Sequence, residues 1–162
     1  MTIQISNNFS LKEFTRSVMA QRMGLDNHPS VDELENLSEL CDNILQPLRE
    51  QVGQIKILSG FRSVKLNAAV GGSSKSQHCK GEAADIEAVN FGNKELFGFI
   101  VDTFKFDQLI LEFYVPGDPH SGWIHVSYKR SGNRGMKLAA VKENGKTIYK
   151  VINSKEDLEN FL

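Results

Sequence analysis

Neither sign of charge dominates this sequence: 19 lysines and arginines face 20 aspartates and glutamates, for a formal net charge of −1. That balance lacks the basic footprint by which nucleic-acid and membrane-surface binders hold their partners. Cysteine is scarce, with only Cys41 and Cys79, so no framework of several disulfides can staple the chain, and both thiols are expected to be reduced. Cys41 falls in an apolar helical pattern, where a buried thiol is usual. Low-complexity tracts, internal repeats and linkers are missing too. No run approaches the ~18 apolar residues of a membrane span, and MTIQISNNFSLKEF has neither the basic start nor the apolar stretch of a secretory signal. Synthesis in the cytoplasm is therefore expected, with no membrane insertion and no nucleic-acid partner.

What is present describes an ordinary globular protein. A chain of 162 residues buries roughly two thirds of its unfolded surface around one core, so a single domain over 1–162 is expected. Ser10 and Glu13 stand at capping-box spacing before an apolar stripe of Leu11, Phe14, Val18 and Met19, which predicts one helix over 10–23. Ser30 and Glu33 repeat the signal before a longer helix that ends near Gly53, with Pro47 as a possible kink. These elements make a helical N-terminal part, about 1–53.

A core of about 54–130 follows. QIKILSG (54–60) reads as a strand, FRSVKLNAAVGG as a brief helix or turn, and GGSSKSQHCKG as a loop entering the strand EAADIEAV. A helix is expected from about Asn93 to Phe104, then the strands FDQLILEFYV (106–115) and WIHVSY (123–128). The C-terminal part, about 137–162, reads as a hairpin turning at Asn144-Gly145 and a capped final helix. The expected class is α+β, with helices on a small, mainly antiparallel sheet.

Period-two geometry selects the chemistry. Ala83, Asp85 and Glu87 share one strand face; Gln108, Ile110 and Glu112 share another; Trp123, His125 and Ser127 a third. If these strands are neighbours, Asp85, Glu112 and His125 converge, with His78 reaching in from a flexible loop. Two imidazoles and a carboxylate suit zinc, whose catalytic sites take three protein ligands and leave a fourth position for water. Magnesium and calcium prefer all-oxygen shells, while iron remains chemically possible. The remaining acid, Glu112, is the candidate general base.

The order SGFRS, SQH, GEAADI, LILEF, WIHVS resembles the zinc D-alanyl-D-alanine carboxypeptidase family, in its phage and prophage branch of peptidoglycan peptidases. The resemblance runs from about Phe9 to Tyr128. It implies one Zn2+ held by His78, Asp85 and His125, with Arg62 binding a substrate carboxylate or polarising the scissile carbonyl and Ser76 helping to hold substrate. It also implies the fold shared with lysostaphin-type and hedgehog-type domains. The expected activity is hydrolysis of peptidoglycan stem peptides by a monomer, as carboxypeptidase or endopeptidase, with the wall reached by holin-type release or virion delivery. One position departs from the pattern: many relatives carry the catalytic carboxylate three residues before the last histidine ligand, where this chain has Gly122. The alternative expectation is thus a catalytically inactive, zinc-stabilised binding or virion structural domain.

Other residues have plainer readings. Cys79 is expected to be a bystander beside His78. Glu82 and Glu87 are expected to be solvated or to stand behind the ligands, with Glu87 a remote alternative acid. Gln108, His120 and Trp123 are candidates for lining the substrate cleft, although exposure alone would explain His120 and core packing would explain Trp123 better. His28 is assigned no function.

Overall fold

A computed structural model describes residues 1–162. Its centre is a six-stranded sheet, with strands β3 (Ile55–Ser59), β4 (Ala83–Ala88), β5 (Gln108–Glu112), β6 (Trp123–Ser127), β7 (Met136–Glu143) and β8 (Lys146–Val151). Their order across the sheet is β3-β4-β6-β5-β7-β8. Every adjacent pair is antiparallel except β5 and β7, which run parallel. A small two-stranded sheet, β1 (Gln4–Ser6) with β2 (Phe9–Ser10), precedes it. The mainly antiparallel α+β expectation holds.

Strand alternation divides the large sheet into two faces. Ile57, Ile86, Ile124, Val126, Leu109 and Leu111 point to one side and join the main buried core. Helices cover that side. The opposite face carries Asp85, His125, Ile110 and Leu138 in one cross-strand row, so the polar residues occupy the side away from the helical core.

The N-terminal helices depart from the sequence pattern. Residues 10–23 form two helices, α1 (Leu11–Thr15) and α2 (Val18–Met23), because the chain turns extended at Arg16 and Ser17. Ser17 then caps α2, accepting a hydrogen bond from the Ala20 N–H. The expected stripe breaks accordingly: Phe14 is buried while Val18 and Met19 are exposed.

Ser30 and Glu33 do form a reciprocal capping box, at the start of α3 (Val31–Leu40). Helix α4 (Gln46–Val52) continues it through a π-turn at Cys41–Leu45. There the Gln46 N–H reaches back five residues to the Cys41 carbonyl. Proline has no N–H to give and its ring crowds the carbonyl four residues back. The wider turn just before Pro47 accommodates both defects without ending the helix. Helices α5 (Val64–Ala69), α6 (Asn93–Thr103) and α7 (Lys155–Asn160) complete the chain. The turn between β7 and β8 falls at Asn144-Gly145, both with positive φ, as the sequence predicts.

Candidate metal centre and cleft

Three strands meet in the order the chemistry requires. Asp85 on β4 pairs directly with His125 on β6, and Glu112 on β5 pairs with Trp123, two residues before that histidine. His78 comes from a single 3-10 turn, Gln77–Lys80, and not from an open loop. It is only 2 % exposed. Ser76 caps the turn by accepting from the His78 N–H, and the His78 carbonyl accepts from the Arg62 N–H. The SGFRS segment and the His78 turn are thus tied together through the main chain.

The ring of His78 is oriented by Gly60, whose carbonyl lies 2.7 Å from Nδ1. A carbonyl only accepts, so Nδ1 carries the proton and the lone pair sits on Nε2. Nε2 lies 3.3 Å from Asp85 Oδ1, and His125 Nδ1 lies 3.1 Å from the same oxygen. One donor atom from each of the three residues falls within 4.8 Å of the others. Donors bound at ~2.05 Å to a tetrahedral zinc stand about 3.3 Å apart, so the spacing and the nitrogen-rich donor set both fit that ion. Burial would push the Asp85 carboxyl up, but His78 and His125 together outweigh it and hold the group below the usual carboxylate range. It is already the anion a metal needs.

Glu112 borders this triad. Burial pushes its carboxyl up to about 7; the charge of Asp85 adds to the rise, while His125 and Arg62 oppose it. The indole Nε1 of Trp123 is buried and completes no hydrogen bond. Gly122 explains why an acid stands on β5 and not three residues before His125. Its φ is +63°, and a Cβ there would lie 1.9 Å from the Glu112 carbonyl oxygen and 2.8 Å from the Phe113 carbonyl carbon. No side chain fits at that position. Phe113 itself has φ +54°, a strained conformation for an aromatic residue, and it ends β5 immediately after the acid.

An open cleft of about 980 Å3 surrounds these groups, with Arg62, Ser76, Gln108 and Trp123 in its wall. Arg62 Nε is buried without a partner. Trp123 is therefore a wall and not core, its ring packed against Phe113 at 5.4 Å. His120 is exposed in the β5–β6 loop and lies outside the cleft lining. Cys79 is half-buried and takes no part in the triad, and the exposed His28 hydrogen-bonds with Asp26. Glu87 pairs with Lys56 at 3.7 Å. Glu82 is buried, not solvated, and burial raises its pKa.

Sequence reasoning missed Asp107 and Arg134. Asp107 is fully buried and accepts hydrogen bonds from the Arg134 N–H, Nε and Nη2 and from Gln77 Nε2. A chain segment after β6 is thereby fastened to the residue preceding His78. Nothing in local periodicity marks such a contact.

A family model described as Peptidase M15 matches residues 7–127, a span that contains the triad, Arg62 and Glu112. The chain belongs to that family. Peptidases of this family are zinc-dependent, in keeping with the donor set, and membership makes the protein a metallopeptidase whose substrates are peptides. No curated protein matches the sequence. No helix is long and apolar enough to cross a membrane.

Proposed function

We propose that residues 1–162 act as a single-domain, zinc-dependent peptidase that hydrolyses an amide bond in the peptide stems of bacterial peptidoglycan. The observation that carries this reading is the meeting of Glu112 with the His78–Asp85–His125 triad in one open cleft.

In this proposal His78, Asp85 and His125 hold one zinc ion. Bound there, zinc supplies a Lewis acid that favours ionisation of water near neutral pH and polarises a carbonyl. Glu112 takes a proton from the attacking water and passes it to the departing amine. In the metal-free protein burial raises this carboxyl to about 7; a bound zinc ion would draw it down from there, toward the carboxylate form that accepts the proton. Arg62 presents its guanidinium to a carboxylate of the stem peptide or to the scissile carbonyl oxygen. Its unpartnered Nε and the lack of any ion pair to it leave that fork free. Gln108 and Trp123 line the path of the peptide, and Ser76 acts through the His78 turn.

Cleavage of a terminal residue and cleavage within the stem leave different products. The test is zinc content of the purified protein, followed by the release of new amino and carboxyl termini from purified peptidoglycan. Native protein should release both and Glu112→Gln protein neither; equal release by the two would remove Glu112 from the mechanism. The proposed setting, by family resemblance, is phage or prophage lysis. Host cells making the protein should then lyse only when a holin is co-expressed.

A further inference from the structure

The family match ends at residue 127, yet the cleft does not. Its far wall is built by the hairpin β7–β8, through Leu138, Thr147 and Tyr149. The parallel pairing of β7 with β5 sets their place: Ile110 pairs with Leu138, and Glu112 with Ala140, which pairs in turn with Tyr149. Ile110, Leu138 and Ala140 form a second buried apolar cluster, separate from the main core, with Phe113 and Met136 packed against it. Ile110, Leu138 and Phe113 of this cluster form the floor of the cleft beyond the metal centre. Tyr149 stands over it, 55 % exposed.

The floor itself is uncharged; Glu112 borders it on the side of the metal centre, and the charges on the hairpin side are engaged. Lys142 donates to Thr147 Oγ1 at 2.9 Å and lies 5.4 Å from the Phe113 ring centroid. Glu143 falls on the opposite face of the strand and pairs with Lys150. Neighbouring strands are about 4.8 Å apart, so Leu138 lies roughly 10 Å across the sheet from His125, the reach of about three extended residues.

We propose that the C-terminal hairpin forms a substrate subsite that takes an uncharged aliphatic side chain of the peptide, two or three residues from the bond cut. The inference rests on the peptidase reading above. It adds that two residues outside the family-matched segment, Leu138 and Tyr149, help to select the substrate: Arg62 holds a carboxylate at one end of the cleft, and Leu138 and Tyr149, with Ile110, hold an apolar group at the other. The uncharged floor disfavours an ionised side chain, which would lose its hydration there without finding a partner.

Trp123, the only tryptophan, lines the same cleft and reports its occupancy by fluorescence. A purified peptidoglycan stem peptide is titrated into zinc-loaded Glu112→Gln protein, so that it survives, with and without Tyr149→Ala, Tyr149→Phe or Leu138→Thr. The same three changes are made in the active protein to obtain kcat and KM, and zinc content is measured throughout. Tyr149→Ala and Leu138→Thr should each weaken binding about tenfold and raise KM by a similar factor, with kcat and zinc content unchanged. Tyr149→Phe should behave like the parent. If the parent binds and cleaves the peptide and Tyr149→Ala does so equally well, the subsite is overturned and the peptidase reading stands. If the parent neither binds nor cleaves it, both are overturned.

Discussion

The side-chain amide of Gln77, the residue before His78 of the triad, donates to the buried carboxylate of Asp107 at 3.1 Å. Asp107 also accepts three hydrogen bonds from Arg134. Asp107→Ala removes the acceptor from all four at once. It should lower stability by about 2–3 kcal/mol, as expected for buried hydrogen bonds to a charged group, measured by urea unfolding. Zinc affinity should fall about tenfold, in line with the loss of groups that orient metal ligands, measured by competition with a chelating dye. Unchanged affinity would mean that the His78 turn holds its shape without this clamp.

His78→Ala should reduce bound zinc from one equivalent to near none, read by elemental analysis after dialysis. Stripping zinc from native protein should lower its Tm, because a ligand that binds only the folded state stabilises it by mass action. His78→Ala protein should show no such shift on stripping. A full equivalent of zinc in that variant would remove His78 from the ligand set.

Glu112 gives a pH signature in the metal-free protein. Its folded pKa of about 7 exceeds the ordinary value of 4.5, so the folded state binds the proton more tightly than the unfolded state. Its contribution to stability is fully present below about 4.5 and is lost as pH rises through about 7. Urea midpoints for native protein should therefore fall between pH 5 and pH 8 relative to those for Glu112→Gln. Parallel curves would show that Glu112 is not raised. In catalysis, Glu112→Gln should lower kcat by roughly 10²–10⁴-fold.

Gly122→Ala should destabilise the fold by at least about 2 kcal/mol, since the new Cβ meets the Glu112 carbonyl at 1.9 Å on backbone with φ +63°. For the same reason, Gly122→Asp should not restore activity to Glu112→Gln protein. Recovery of peptide cleavage in that double variant would show that the β5–β6 turn can rearrange to present an acid.

The convergence of Asp85, Glu112 and His125 was legible because strand alternation is a local property, whereas His78, expected in an open loop, comes to them from a 3-10 turn. Once Asp85, Glu112 and His125 are placed on strands, their faces follow, and one correct guess of adjacency brings them together. The fate of residues 10–23 was not legible. Leu11, Phe14 and Val18 keep helical spacing across a break, and only the packing of Phe14 into the core distinguishes the two segments. The role of Tyr149 was hidden for another reason. It depends on β7 lying parallel to β5 with β6 on the far side, a pairing between strands well separated in sequence. Pro47 was noticed, but the π-turn that absorbs it is an adjustment of the backbone with no side-chain signature.

The parallel pairing of β7 with β5 has a consequence for truncation. Without the hairpin, β5 would be the outer strand of the sheet, its backbone N–H and C=O groups open to a second molecule. The proposed base would then sit on an aggregation-prone edge. In the intact chain the outer strand is β8, whose exposed Lys146 and half-buried Lys150 place charge where another strand would dock. A fragment ending near residue 130 keeps His78, Asp85 and His125, yet it should associate or precipitate on purification, whereas the full chain stays dispersed.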